Sequence, residues 1–130
     1  MVPDPAGRFP VRLPPGWAEG EAVDGWRTAY PPSGRPRPTI LHRTVSTCDT
    51  DVAILLDGLC AELPARYPGL LVLDRSAGRL LTAHSGLTTA YRLVAGPGIV
   101  HIAAAVMPTH RYAELGPLLE RTLGRLRVPA

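Results

Sequence analysis

Apolar residues along this chain repeat with two different periods, and the change from one to the other falls at Asp51. From there Val52, Leu55, Leu56, Leu59 and Leu63 stand at i, i+3, i+4, i+7 and i+11, which gathers them on one helix face. Asp57 and Glu62 lie off that stripe, as a half-exposed helix requires. The spacing predicts a helix over 51–63, capped by Asp49 or Thr50. Pro64 is expected to stop it, because the residue before a proline avoids the helical region. An amphipathic helix needs a second apolar surface to receive its stripe.

That surface is written in the other period. Phe9, Val11 and Leu13 alternate with Arg8, Pro10 and Arg12, the pattern of a half-buried strand, and Pro10 assigns it to a sheet edge. Pro14-Pro15-Gly16 forces a turn ahead of Trp17. A second strand is expected over 21–30, anchored by Val23 and Trp26 with Gly25 as a bulge, and a third over the β-branched run 39–45. Between them 31–38 is a rigid loop rich in Pro and Arg. Beyond the helix, runs 70–73, 79–83, 87–94 and 99–107 are separated by Gly69, 76–78, Ser85-Gly86 and Gly96-Pro97-Gly98. Turns this short join antiparallel neighbours. Ala103, Ala104 and Ala105 leave room for close helix packing.

A second helical face closes the chain. Tyr112, Leu115, Leu119, Leu123 and Leu126 share it, within 110–126, with Thr109 as a cap and an irregular start around Gly116-Pro117. The order β-β-β-α-β-β-β-β-α makes one domain over 1–130, its N-terminal strands within 8–45 and its β-meander within 70–107. The expected fold is α+β, an antiparallel β-sheet with two amphipathic helices packed on it. With 130 residues, the chain buries enough surface to fold without staples.

Charge narrows the partners. All 14 basic residues are Arg, against 11 acidic ones, and the chain has no Lys, Asn or Gln, the mark of a GC-rich genome. The arginines are scattered rather than set in an aromatic-laced stripe, so nucleic acid is not expected as a partner. No apolar run is long enough to span a membrane. The N-terminus reads without a signal peptide or lipidation motif, and Cys48 and Cys60 fit no metal or redox spacing. Free thiols are expected, with a Cys48–Cys60 disulfide as the alternative; they suit a reducing compartment, so a cytoplasmic protein is expected, monomeric or weakly dimeric.

Candidate chemistry is thin. His42, His84, His101 and His110 show no ligand spacing, so no metal and no cofactor is expected. His84-Ser85-Gly86, with Asp74 upstream, joins two strands rather than a strand and a helix, and so is a hairpin turn and not a nucleophile elbow. Gly96-Pro97-Gly98 lacks the basic tail and following helix of a phosphate loop. Asp49, Asp51 and Asp57 suit a helix start without catalysis.

The segment Phe9-x-Val11-x-Leu13-Pro14-x-Gly16-Trp17 resembles the opening of the Mog/PsbP-like superfamily, with its Leu-Pro-x-Gly-Trp turn. The order of elements is similar too, as is the Ser85-Gly86 turn leading into a strand. Within that superfamily the chain is most similar to the actinobacterial LpqN-type proteins, usually lipoproteins, from which it differs in showing no leader or lipobox Cys. The resemblance implies an α-β-α sandwich used as a binding scaffold, whose members bind a small GTPase, a photosystem core or secretion effectors. It carries over no catalytic residue.

The function expected is therefore non-enzymatic: a protein-binding adaptor or chaperone-like domain. Its candidate contact residues are Trp26, Arg27, Tyr30, Arg35 and Arg37, aromatic and Arg anchors in the N-terminal third. The alternative is a carrier of a small apolar ligand, in a pocket between sheet and helix lined by residues such as Leu59 and Tyr91.

Overall fold

Two ten-residue strands that pair along their whole length form the middle of the molecule. The structure, a computed structural model, describes residues 9–32, 38–46 and 51–126. In chain order the elements are β1 (Ala18–Glu19), β2 (Arg27–Tyr30), β3 (Thr39–Ser46), α1 (Val52–Arg66), β4 (Leu71–Ser76), β5 (Arg79–His84), β6 (Leu87–Gly96) and β7 (Ile99–Pro108). A 3-10 turn, Thr109–Arg111, then leads into α2 (Tyr112–Leu123). The strands form one seven-stranded antiparallel sheet in the order β1-β2-β3-β7-β6-β5-β4. β3 therefore crosses α1 and the whole meander before pairing with β7.

The helices lie on opposite faces, and strand alternation decides what each face offers. Ala103, Ala105 and Met107 turn towards α2, where they pack with Leu81, Leu119 and Leu123. Val100 and Ile102 turn the other way and pack with Leu80, Leu93 and Leu56 of α1. The expected small-residue run thus divides: Ala103 and Ala105 serve close packing, whereas Ala104 belongs to the α1 face. β4 closes the sheet with every residue exposed, including Leu71, Val72 and Leu73. A register shift between Val72 and Asp74 kinks this free edge.

The N-terminal third departs from the expected strands. Phe9, Val11 and Leu13 do pack inward, Val11 fully buried, yet 9–13 forms no strand. Pro10 offers no donor, and the following Pro14–Trp17 turn, closed by the Trp17 N–H donating to the Pro14 carbonyl, bends the segment away. The expected strand over 21–30 is a hairpin instead. Asp24 and Gly25, at φ 51° and 82°, form a two-residue turn between Val23 and Trp26, so Gly25 is a turn residue and not a bulge.

The helices also differ in their ends. Asp51 itself caps α1, its carboxylate accepting from the Ile54 N–H at 2.9 Å. Pro64 does not stop the helix, which runs on to Arg66. In the last turn its ring removes a single hydrogen bond, and the Tyr67 N–H closes the end on the Leu63 carbonyl. Thr109 caps nothing: its hydroxyl pairs with that of Thr88. α2 passes through Gly116-Pro117 as one helix, the Tyr112 ring lying over Gly116.

Gly58 stands in the middle of α1, where a Cβ would meet nothing within 4 Å. Gly58→Ala should therefore stabilise the protein by about 0.5–1 kcal/mol, the helical cost of glycine. Asp51→Ala should cost about 1 kcal/mol through loss of the cap. Denaturant unfolding of the two variants against wild type checks both signs.

Candidate functional site

α1 is fixed to one side of the sheet. Its Asp57 pairs with Arg75 of β4, Leu56 sinks into the core over β5 to β7, and the helix packs chiefly on β6. Leu56 is its single fully buried residue. Over β3 and the near half of β7 the helix stands clear, and a groove of about 470 Å³ runs between them.

The groove is built from alternate residues of three strands and one helix flank. Ala104 sits between its register partners Leu41 and Tyr91, and Ile102 and Val106 continue the floor on either side. Leu55, Leu59 and Leu63 hang over it from α1. Ile54, Gly58 and Glu62 follow one another at i+4 spacing along the exposed lip, so Gly58 is a notch in that lip. Trp26 reaches the groove from the hairpin, and Tyr67 from the end of α1.

Charge is confined to three lining residues, Arg43, Glu62 and Arg66. The Arg43 guanidinium lies 5.3 Å from the centre of the Trp26 ring, within cation–π range. Burial, with Tyr67 nearby, pushes the Tyr91 phenol up, partly offset by a hydrogen bond to Thr82. Tyr91 is therefore a neutral wall residue at ordinary pH.

The five contact residues expected from sequence do not share one face. Trp26 lines the groove. Arg27 points to the opposite face, where it pairs with both carboxylate oxygens of Glu19 at 2.9 Å and stacks on Phe9. Tyr30 closes against Gly20, and Arg35 and Arg37 lie outside the described residues. Leu59 and Tyr91, named for a sheet–helix pocket, both line the groove. Ser85-Gly86 is a two-residue turn with φ 50° and 78°, and His84 faces the Pro68 carbonyl at 3.1 Å and the Tyr67 ring. Cys60 is a half-buried free thiol; Cys48 lies outside the described residues. Among the described residues no three metal-ligating side chains gather.

Two residues gained importance that the sequence did not give them. His42 on β3 and His101 on β7 meet on the α2 face, with His42 Nε2 and His101 Nδ1 3.1 Å apart. Both are about 95% buried, each being 5% exposed, and their outer nitrogens find no partner among the described residues. Phe9 sets its ring edge-on to His42. Burial, then the neighbouring His101 and Arg27, bring His42 down to about 4, and burial lowers His101 as well. Only the pairing of β3 with β7 brings them together, and single-strand patterns carry no signal of it.

LpqN of Mycobacterium tuberculosis, a protein involved in cell envelope biogenesis, has a similar fold. The two superpose with a TM-score of 0.60 at 15% identity, over 88% of this chain and 79% of that one. At that identity the likeness is one of fold. No family model and no curated protein matches the sequence. Among the described residues no helix is long and apolar enough to cross a membrane.

The histidine pair makes a pH prediction. The unfolded chain takes up a proton near 6.5 that folded His42 refuses until about 4, so stability falls as pH drops through that window. Between pH 7 and 5 the loss should be on the order of 2 kcal/mol from this group. Urea unfolding across that range should show it, and a His42→Leu, His101→Leu double variant should flatten the dependence.

Proposed function

We propose that this chain is a non-enzymatic binding module whose working site is the groove beneath α1, taking a small apolar ligand. The observation that carries this reading is the groove itself. A helix with an apolar stripe stands clear of an apolar sheet face and leaves about 470 Å³ between them, within the size range of ligand sites. Its lining offers apolar walls and no convergent acid, base and nucleophile, which supports binding over catalysis. The free thiol of Cys60 suits a reducing compartment, which supports a cytoplasmic location. The turn at Leu13-Pro14-Pro15-Gly16-Trp17 supports the wider Mog/PsbP-like kinship, a superfamily of binding scaffolds. LpqN is involved in cell envelope biogenesis, and a binding role of that broad kind is compatible with this groove chemistry.

A second reading, the protein-binding adaptor, is favoured by one observation. At the hairpin tip Val23 is 52% exposed beside Trp26, an apolar point that a protein partner would cover. The two readings share Trp26 and part at Val23.

Titration with a neutral apolar fluorophore such as N-phenyl-1-naphthylamine separates them. Wild type should bind and enhance its emission. Ala104→Leu, which fills the floor, and Gly58→Leu, which closes the lip, should each weaken binding about tenfold or more, the effect of some 1.4 kcal/mol. Val23→Ser should leave it unchanged. Absence of binding by the folded wild type would overturn the groove reading and leave the adaptor surface as the working site.

A further inference from the structure

We infer that the groove takes an aliphatic chain ending in a carboxylate, and that Arg43 is the residue that receives that anionic end. This rests on the groove being the binding site. The walls are apolar along their length, so the chain of a ligand finds its surroundings there, while charge stands only at Arg43, Glu62 and Arg66, two cations to one anion. That balance favours a monoanionic ligand.

Arg43 is held differently from the arginines that are tied to carboxylates. Arg27, Arg75, Arg79 and Arg111 each pair with a carboxylate of this chain. Arg43 has no carboxylate partner among the described residues, and its guanidinium is instead laid over the Trp26 ring. The ring face holds the exposed guanidinium beside the groove and takes up none of its N–H donors. A planar cation whose donors are not taken by a carboxylate of the chain matches the two oxygens of a ligand carboxylate. Arg66, also at the groove, sits in the last turn of α1, where a cation complements the helix end, and no ring holds it. β3 places Arg43 on the same side as Leu41 and Val45, both of which line the groove, so an anion there is continuous with the floor.

The test compares decanoate with decanol, equal in chain length and differing in charge, each displacing N-phenyl-1-naphthylamine. Wild type should prefer decanoate about tenfold at low salt, and the preference should shrink as salt rises. Arg43→Gln should abolish the preference by weakening decanoate more than decanol, with a circular dichroism spectrum matching wild type to show the variant folded. Arg66→Gln should retain most of it. Equal affinity of wild type for the two probes would overturn the carboxylate assignment while leaving the groove reading intact. A preference that survives Arg43→Gln would overturn the role of Arg43. Displacement by neither, with no fluorophore bound at the start, would overturn the groove reading and this inference together.

Discussion

β7 is hydrogen-bonded to a strand on each side over most of its length, and every other element is placed relative to it. It pairs with β6 from Ile99 to Pro108 and with β3 from Ile99 to Val106, so from Ile99 to Val106 it has a strand partner on each side. A strand in that position cannot carry a charged side chain without a partner. Its sequence obeys: IVHIAAAVMP holds one titratable residue, His101, and that residue meets His42. The pairing with β3 is the long-range step. It brings the N-terminal hairpin beside the C-terminal meander, and both the histidine pair and the groove floor exist only because of it.

The two faces of that strand are finished differently. On one, α2 comes down onto Ala103 and Ala105, with segment 9–13 and Trp17 filling in at the side, and the result is a packed core. On the other, the side chains facing α1 are larger at the strand ends and small at Ala104, and the helix is held from the β4–β6 side by Leu56 and by Asp57 with Arg75. A helix anchored along one flank leaves the other flank raised. The apolar area left open in the groove costs about 25 cal/mol per Å² when water covers it. An apolar occupant would recover that energy.

How much of this could be read from the residues depends on the range of the interaction responsible. The stripe Val52, Leu55, Leu56, Leu59 and Leu63 is a local pattern, and so are the glycine turns of the meander; both helices and strands β3 to β7 lie within a few residues of where those patterns put them. Segment 9–13 has the alternation of a strand and its burial, but pairing needs donors that Pro10 lacks. The Asp24-Gly25 turn was legible by composition, since Asp-Gly is a strong hairpin signal, yet the period of the flanking residues was too short to show it. Leu59 and Tyr91 could be placed in a sheet–helix pocket because each lies on the inward side of its own element. Arg43, Ala104 and the histidine pair could not be picked out, because their significance comes from which strand lies next to which.

The groove joins two parts of the chain that local reading kept apart. One wall is α1, fixed by contacts near the far edge of the sheet. The other is Trp26 with Arg43, and Trp26 is set by the hairpin that the Asp24-Gly25 turn closes. That hairpin is short, β1 having two residues, yet β2 is held by its ladder with β3, by the Thr28 hydroxyl donating to the Glu21 carbonyl and by Ala29 in the core, besides the Arg27–Glu19 pair. An exposed pair of that kind contributes less than about 1 kcal/mol. Ladder and burial rather than that pair therefore fix the Trp26 wall, and a ligand that bridges Trp26 and the α1 leucines would meet two walls held by separate parts of the core.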